Sequence, residues 1–335
     1  MNEFDDARLE HPGLADDEGL RWLASAGARV RRMGLAEPLG QLARSDRPRG
    51  VLIVGPEARL IRALLEPVCP VPFMAWTGPA LPAWVGPLDL VVIVDDEDPS
   101  SGVVDVGAES ARRGATVLVA ARANSLLAEV TSSSDTTLVP ADETDPTASA
   151  FALVALLGQL GLGPTISLET VADAIDLVAE ACSPLRDLSA NPGKQLALEL
   201  ADRVPLIWGG TVLANRAGRR LGEAIRRATG VPALAADASE LIAVLRGVER
   251  RDPFADPDDA PRAEPVVVLL DADKARGPQA QLAAALERHA EAVGVRVAPI
   301  STGGTDYRLA DVEAYATLLA QSLYGAEYLR IGHGR

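Results

Sequence analysis

Short runs of apolar and β-branched residues alternate with amphipathic stretches along most of the chain. The apolar runs predict strands at 50–55, 71–76, 89–95, 116–121, 136–140, 203–210, 231–236, 265–272 and 295–301. Helical spacing of apolar positions predicts helices at 57–65, 103–113, 125–130, 148–160, 166–181, 211–229, 239–245, 279–293 and 309–324. Continuous apolar strands that alternate with helices are typical of a parallel sheet covered on both faces. The alternation pauses at a Pro/Gly-marked junction at 189–194 and then begins again, which indicates two successive α/β units.

The same pattern predicts the domain organisation. Residues 1–45 carry helical periodicity and are expected to form an N-terminal helical arm. We place the first α/β domain at 46–165, a helical connection at 166–195 and the second α/β domain at 196–335. Inside the second domain, the segment 246–265 is rich in Pro, Asp and Arg, so we expect a mobile surface loop there.

Charge and composition narrow the class of partner. The chain has 335 residues, of which 48% are hydrophobic, and this is enough apolar material for a substantial core. Its 32 basic and 47 acidic residues give a net charge of −15 at pH 7. A surface of this sign repels phosphate backbones and anionic lipids, so we expect neither nucleic acid nor a membrane as a partner. Lys194 and Lys274 are the only lysines, and the other basic residues are arginines.

Cysteine, histidine and glycine patterns bear on compartment and cofactors. Cys69 and Cys182 lie in apolar surroundings far apart in sequence, which favours reduced thiols and a cytoplasmic location. The acidic start lacks the apolar core of a secretory signal, and no apolar run reaches the roughly 18 residues that span a bilayer. The three histidines show no paired spacing, and no G-x-G-x-x-G follows a predicted strand. We therefore expect no metal and no cofactor.

Several segments carry a resemblance to a known family. They are VLIVGPEARLI, AESARRGATVLVAA, VPLIWGG, ANRAGRRLGEAIRRATGVPA and GGTDYRLADVEAYATLLAQSLYGAEYL. In order and spacing they resemble the bifunctional phosphoglucose/phosphomannose isomerases, which duplicate the sugar isomerase (SIS) fold in one chain. The resemblance covers about residues 46–330. It implies an α/β protein with two three-layer αβα SIS-type domains and parallel sheets, which forms a homodimer and binds a sugar phosphate or related small molecule.

The phosphate-binding turn of that family departs from its pattern here. A Ser-x-Ser-Gly-Asn-Thr turn is replaced by carboxylates and a proline at 96–99, followed by Ser100 and Ser101. A carboxylate near a phosphate is repulsive, and proline removes an amide donor. Ser100 and Ser101 could still form a shifted anion site. Alternatively, the acidic cluster at 95–98 is a solvated loop at a strand end, or it binds a divalent cation.

Two other turns are candidate substrate contacts. Of the family's Gly-x-Gly-Gly-Ser turn this chain keeps only Gly55, and Arg59 follows in the next helix as an anion contact or as a surface residue. In the second half, the turn at Gly209 and Gly210 leads into the next helix, and Arg216 matches an arginine of the family motif.

The groups that carry the family's chemistry are mostly replaced. Aldose–ketose isomerisation needs a base, a ring-opening acid and a cation that stabilises the enediolate. The resemblance places the base at Glu223, but it places Thr147 where the family has its arginine and Ala238 where it has its histidine. His333 lies near the position of a family lysine. These departures leave Glu223 as the one catalytic candidate.

Two functions remain open. One is a glucose-6-phosphate/mannose-6-phosphate isomerase-like protein that binds a carbohydrate derivative and has weak or no isomerase activity; if active, it would act on hexose 6-phosphates. The other is a catalytically silent regulatory or assembly partner in sugar-phosphate metabolism, a pseudoenzyme. Glu223 is the base in the first case. In the second it is a surface residue paired with Arg219 or Arg226 on its own helix.

Overall fold

The chain forms two compact units, each with its own parallel sheet. The computed structural model describes residues 4–33, 47–96, 102–141, 143, 145–248, 264–303 and 311–335. One unit, called here the β1–β5 unit, comprises Ala26–Asp173. The other, the β6–β9 unit, comprises Met1–Ser25 and Ala174–Arg335. The domain boundaries drawn from the sequence remain a prediction.

The β1–β5 unit contains a five-stranded parallel sheet in the order β2-β1-β3-β4-β5. Its strands are β1 (Gly50–Val54), β2 (Phe73–Trp76), β3 (Asp89–Val94), β4 (Thr116–Ala121) and β5 (Thr136–Pro140). Its helices are α2 (Ala26–Met33), α3 (Ala58–Leu65), α4 (Val103–Arg112), α5 (Leu126–Val130) and α6 (Pro146–Gln159). Every residue of β1 and β3 is buried, which explains the apolar runs at 51–54 and 90–94. Asp89, the first residue of β3, is buried as well and pairs with Arg49 at 2.6 Å.

The β6–β9 unit contains a four-stranded parallel sheet in the order β7-β6-β8-β9. Its strands are β6 (Val204–Gly209), β7 (Leu234–Ala235), β8 (Pro265–Leu270) and β9 (Arg296–Ile300). Its helices are α1 (Glu18–Ala24), α8 (Pro192–Leu200), α9 (Val212–Thr229), α10 (Ala238–Arg246), α11 (Pro278–Val293) and α12 (Asp311–Gly332), and α7 (Leu168–Ala181) crosses the unit boundary. Two three-layer α/β domains with parallel sheets, the fold class predicted from the sequence, are confirmed.

The N-terminal segment packs against the C-terminal helix. The amide of Asp5 and the guanidinium of Arg8 both donate to the carbonyl of Gly332, at 3.0 and 2.8 Å. Arg330 of α12 pairs with Asp17, the residue that caps α1, at 2.6 Å. These contacts leave α12 mostly buried inside its own unit. The C-terminal helix α12 therefore presents little apolar surface that a second copy of the chain could cover.

Some predicted elements differ from those observed. The junction predicted at 189–194 contains the start of a helix, since Asn191 caps α8 and Pro192 is its first residue. Proline at the first helical position is favourable because its missing amide hydrogen would have no partner there. The last helix runs to residue 332 instead of 324. Most of the loop predicted to be mobile, at 249–263, lies outside the described residues, as does 34–46 of the predicted arm. Among the described residues, no helix combines the length and apolar character needed to cross a membrane.

Candidate functional site

Each sheet has one place where the strand order reverses. In the β1–β5 sheet, β2 and β3 lie on opposite sides of β1; in the β6–β9 sheet, β7 and β8 lie on opposite sides of β6. In open parallel sheets, ligands bind in the crevice outside the carboxyl ends of the strands at such a reversal. Each unit therefore has its own candidate crevice, one at the ends of β1 and β3 and one at the ends of β6 and β8.

Gly55 follows β1 in the first crevice and has a φ of 108°. A Cβ at this position would overlap the carbonyl oxygen of Val94 at the end of β3, so glycine is required for backbone packing. Glu57 is buried, and Arg59 is exposed on α3. The close approach of the ends of β1 and β3 therefore explains the glycine at position 55. Arg59 is accessible to solvent.

Carboxylates line the other side of the first crevice. Asp95 continues the ladder after β3, its amide donating to the carbonyl of Ala120, and its Oδ1 accepts from the amide of Asp96 at 2.9 Å. Residues 97–101 lie outside the described part of the chain, so the predicted contacts of Ser100 and Ser101 remain predictions. Within the described residues, no group of three or more histidine, cysteine, aspartate or glutamate side chains is arranged to hold a metal ion.

Thr147 lies in the first turn of α6, at the position where the resemblance implies an arginine. Its amide donates to Oδ1 of Asp145, the residue that caps α6, at 3.0 Å. The other carboxylate oxygen of Asp145 accepts from Nε of Arg29 on α2 at 2.6 Å. Arg32 of the same helix pairs with Glu143. Arginines from the N-terminal segment therefore bind the loop that precedes Thr147, a contact that the sequence argument missed.

The second crevice begins with Gly209 and Gly210 after β6. A Cβ on Gly209 would overlap the first turn of α9, and one on Gly210 would overlap the carbonyl oxygen of Asp271 after β8. The amide of Gly209 donates to Oδ1 of Asn215 at 3.1 Å. Thr211 then caps α9 by accepting from the amide of Ala214. Both glycines allow the chain after β6 to lie directly against its neighbours.

A cluster that the sequence argument missed completes the second crevice. Asp271 is 2% exposed and accepts from the amide and the hydroxyl of Thr302, at 2.8 and 3.0 Å. The ammonium of Lys274 donates to the hydroxyl of Thr302 and lies 3.6 Å from Oδ2 of Asp271. Asp271 also has a φ of 44°, which is unusual for a residue other than glycine. The rarity of lysine in this chain was the one sequence signal that could have pointed here.

Glu223 and Arg216 both lie on α9, but the helix separates them by seven positions, about 10 Å along its axis. The carboxylate of Glu223 pairs with Nη1 of Arg220 at 2.7 Å, and a third of its side chain is exposed. The sequence predicts Arg219 or Arg226 as the partner of Glu223. Arg226 instead donates to the carbonyl of Ala233. In this structure Glu223 is held by an arginine one turn before it.

A groove of about 500 Å³ lies elsewhere in the β6–β9 unit, between α8, β9 and α12. Its walls are mainly apolar, with Gln195, Glu199, Ser301 and Gln321 as polar members. Among the described residues that line it, none is a lysine or an arginine, and none is a site residue predicted from the sequence. The described walls of the groove therefore provide no cation for an anionic ligand.

A family model matches the second half of the chain. Residues 189–328 match the model described as the C-terminal SIS domain of bacterial phospho-glucose isomerase. This part of the chain is a SIS domain. The resemblance inferred from the sequence is thereby confirmed. No curated protein matches the sequence.

Solved structures share the fold of this SIS-domain protein over nearly its whole length. Tagatose-6-phosphate ketose/aldose isomerase from Escherichia coli is 13% identical, with 97% of this chain and 92% of that chain covered and a TM-score of 0.61. A glucose-6-phosphate isomerase like protein from Thermus thermophilus is 14% identical, with coverages of 95% and 92% and a TM-score of 0.53. The C-terminal domain of glucosamine-fructose-6-phosphate aminotransferase from Francisella tularensis is 11% identical, with coverages of 94% and 95% and a TM-score of 0.64. Identities this low establish the fold alone.

Two further positions of the SIS-domain protein bear on its chemistry. Ala238 is the first residue of α10 and is 1% exposed, so no imidazole is provided at the place where the family histidine is implied. His333 is also 1% exposed, and its ring lies edge-on to Phe4 at 5.5 Å. This ring contact packs the N-terminal segment against the C-terminal residues. Glu223 carries a carboxylate at the position that the resemblance assigns to the base, and its catalytic role remains a prediction.

Proposed function

We propose that this SIS-domain protein binds a sugar phosphate and has little or no aldose–ketose isomerase activity. The class of ligand is supported by the matched domain model and by relatives of the same fold whose names specify 6-phosphate sugars. The expectation of little turnover rests on the residues at the family's catalytic positions. The protein is proposed to act in the cytoplasm, without a cofactor.

The observation that carries the proposal is the ion pair between Glu223 and Arg220, at 2.7 Å. A general base needs a free carboxylate oxygen within hydrogen-bond distance of the proton it removes. Here arginine engages one of the two oxygens of Glu223. The positions aligned with the acid and the cation hold Ala238 and Thr147, so the remaining oxygen would act without either partner. Loss of a general acid and loss of a charge-stabilising group each lower a rate by roughly 10² or more.

The test measures binding and turnover together. The purified protein is incubated with glucose 6-phosphate, mannose 6-phosphate and fructose 6-phosphate, and interconversion and thermal shift are followed. We expect a thermal shift with at least one of them and little or no interconversion. Wild-type turnover in the range usual for enzymes, about 1 to 10³ per second, would contradict the proposal, as would the absence of binding by all three.

Glu223→Gln separates the two interpretations of Glu223. If residual turnover depends on this base, the variant loses it, while Glu287→Gln, an exposed glutamate on α11, keeps it. If Glu223 is a surface residue, the variant loses a few tenths of a kcal/mol of stability through the missing helix pair and turnover is absent in all three proteins. Residual turnover that survives Glu223→Gln would exclude Glu223 as the base.

The alternative function, a catalytically silent regulatory or assembly partner in sugar-phosphate metabolism, predicts no interconversion by any variant, whether a sugar phosphate or a partner protein is bound. Measurable interconversion by the wild type that is lost in Glu223→Gln would exclude this alternative.

A further inference from the structure

The two crevices differ in charge. At the ends of β1 and β3 the described side chains include three carboxylic acids, at positions 57, 95 and 96, and the exposed Arg59. At the ends of β6 and β8 the ammonium of Lys274 lies beside the buried carboxylate of Asp271, and the same segment carries one exposed carboxylate, Asp273. The second crevice is therefore less negative than the first, and its lysine is held in place. A dianionic phosphoryl group is repelled by carboxylates and attracted by an ammonium, most strongly at short range. The comparison favours the second crevice for an anion.

We propose that Lys274 binds the phosphoryl group of the ligand at the carboxyl ends of β6 and β8. This inference rests on the proposed function, because it assigns the anchor of the sugar phosphate. It locates that anchor in the β6–β9 unit, away from the turn after β3 where the resemblance implied it.

The geometry of Lys274 suits this role. An ammonium has three N–H donors. One is taken by the hydroxyl of Thr302, and the carboxylate of Asp271 lies 3.6 Å away. The side chain of Lys274 is 28% exposed, whereas that of Asp271 is 3% exposed. The ammonium therefore lies between a buried carboxylate and solvent, with a donor left for a ligand.

Asp271 is a positioning residue in this arrangement. Its two oxygens accept from the amide and hydroxyl of Thr302. These hydrogen bonds join the ends of β8 and β9 beside Lys274. Its backbone has a φ of 44°, a conformation that costs energy and persists where surrounding contacts enforce it. The result is a lysine whose charge is held at one place, a condition for binding an anion with a defined orientation.

The start of α9 adds to the potential at the same place. Gly210 lies against the carbonyl oxygen of Asp271, so the chain entering α9 and the chain carrying Lys274 are in contact. The helix has 18 residues, and its N-terminus carries a partial positive charge that stabilises nearby anions. The proposed anchor therefore places the oxyanion near this N-terminus, where the dipole is favourable.

The anchor also bears on catalysis. Glu223 is 11 positions after Val212, the first residue of α9, or about 16 Å along the helix axis. A six-carbon chain attached to a phosphoryl group at the helix N-terminus does not span that distance. If the phosphoryl group is held at the start of α9, the first two carbons of the sugar therefore lie away from Glu223, in agreement with the proposed low isomerase turnover.

The test titrates the full-length protein with inorganic phosphate, glucose 6-phosphate and glucose, and measures affinity by calorimetry and by phosphorus NMR. We expect Lys274→Met to weaken binding of both phosphorylated probes at least tenfold and to leave the weak response to glucose unchanged. Lys274→Arg keeps the charge and is expected to retain affinity within a few-fold. Arg288→Met, which removes an exposed charge on α11, is the matched control and is expected to bind as the wild type does.

Loss of the lysine could unfold the loop by leaving Asp271 buried without its ion pair. The double variant Asp271→Asn with Lys274→Met removes both charges and keeps the site neutral, and circular dichroism checks that it is folded. A folded double variant that binds phosphate as tightly as the wild type overturns the inference, and so does equal loss of affinity in Arg288→Met.

The outcomes separate this inference from the proposed function. Glucose 6-phosphate binding that is unchanged in Lys274→Met but lost in Arg59→Ala refutes the anchor and leaves the proposed function in place. Phosphate binding that depends on Lys274, without any binding of hexose 6-phosphates, supports the anion site and refutes the proposed function. No binding of either phosphorylated probe by the wild type refutes both.

Discussion

The guanidinium of Arg29 lies against the carboxylate of Asp145, with Nε 2.6 Å from Oδ2, and only 4% of the arginine side chain is exposed. The same carboxylate caps α6 through its other oxygen, which accepts from the amides of Thr147 and Ala148. One aspartate thus joins the N-terminal helix α2 to the start of α6. The contact orders the loop after β5 at the carboxyl end of the sheet.

Replacement of Arg29 by methionine is expected to destabilise the protein by about 3–5 kcal/mol, because it leaves the carboxylate of Asp145 nearly buried and unpaired. The measurement is the free energy of unfolding in urea. Arg62→Met is the matched control, since Arg62 and Glu66 are both more than half exposed and 3.5 Å apart. Its cost is expected to stay below about 1 kcal/mol, and equal costs for the two variants would contradict the role of Arg29.

Replacement of Gly210 by alanine is expected to destabilise the β6–β9 unit by about 1–3 kcal/mol. The added Cβ overlaps the carbonyl oxygen of Asp271, which is backbone and cannot move aside as a side-chain end can. Gly86→Ala is the control, because a Cβ at that position has open space around it. Thermal unfolding of both variants, compared with the wild type, checks the prediction; a neutral Gly210→Ala would show that the two loops are not in contact.

Stability is expected to fall above about pH 9. Burial raises the pKa of the Cys182 thiol to about 12, and burial also raises the pKa values of Tyr324 and Tyr328. Groups whose folded pKa is raised stabilise the protein fully below their unfolded pKa and lose that contribution as pH rises toward the folded pKa. For Cys182 the loss therefore runs from about pH 9 to about pH 12, by up to about 1.4 kcal/mol per pH unit. Burial lowers the pKa of Lys194, so the contribution of this one group to the free energy of unfolding rises with pH.

Urea unfolding at pH 8, 9, 10 and 11 measures this loss. Cys182→Ala is expected to show a shallower decline above pH 9 than the wild type, although it starts from a lower stability. Cys69→Ala, at a half-buried cysteine, keeps the wild-type decline. A stability that is constant from pH 8 to pH 11 would contradict the burial of these groups in the folded state.

A homodimer is expected in solution, as the family resemblance implies. Leu177 and Leu185, in and just after α7, are 67% and 84% exposed, so the β6–β9 unit presents large apolar side chains that a second copy can cover. Light scattering at micromolar concentration gives the mass. A mass of 35.0 kDa, that of one chain, would rule out the dimer.

Local pattern determined most of the secondary structure. The sequence predicts the strands β1 and β3 because both faces of each are buried, which requires long apolar runs; the exception is Asp89, which starts β3 and is paired with Arg49. Helix α9 was found with nearly correct ends, since Thr211 caps its start and Gly230 ends it in a left-handed conformation. The sequence prediction lacks α8 altogether, because Pro192 and Gly193 indicate a break in the chain, although proline is favourable in the first turn of a helix.

The sequence by itself determined the fold class and the family resemblance, because these depend on residue type and short-range spacing. Tertiary structure alone decided which distant residues meet. Arg29 reaches Asp145 across 116 positions, and Thr302 reaches Asp271 across 31. Strand order and helix packing bring these pairs together, and both depend on which surfaces can be buried against each other and not on any local period in the sequence. The lysine that forms the proposed anion site could therefore be counted in the sequence, but only the fold places it beside a buried carboxylate at the end of two strands.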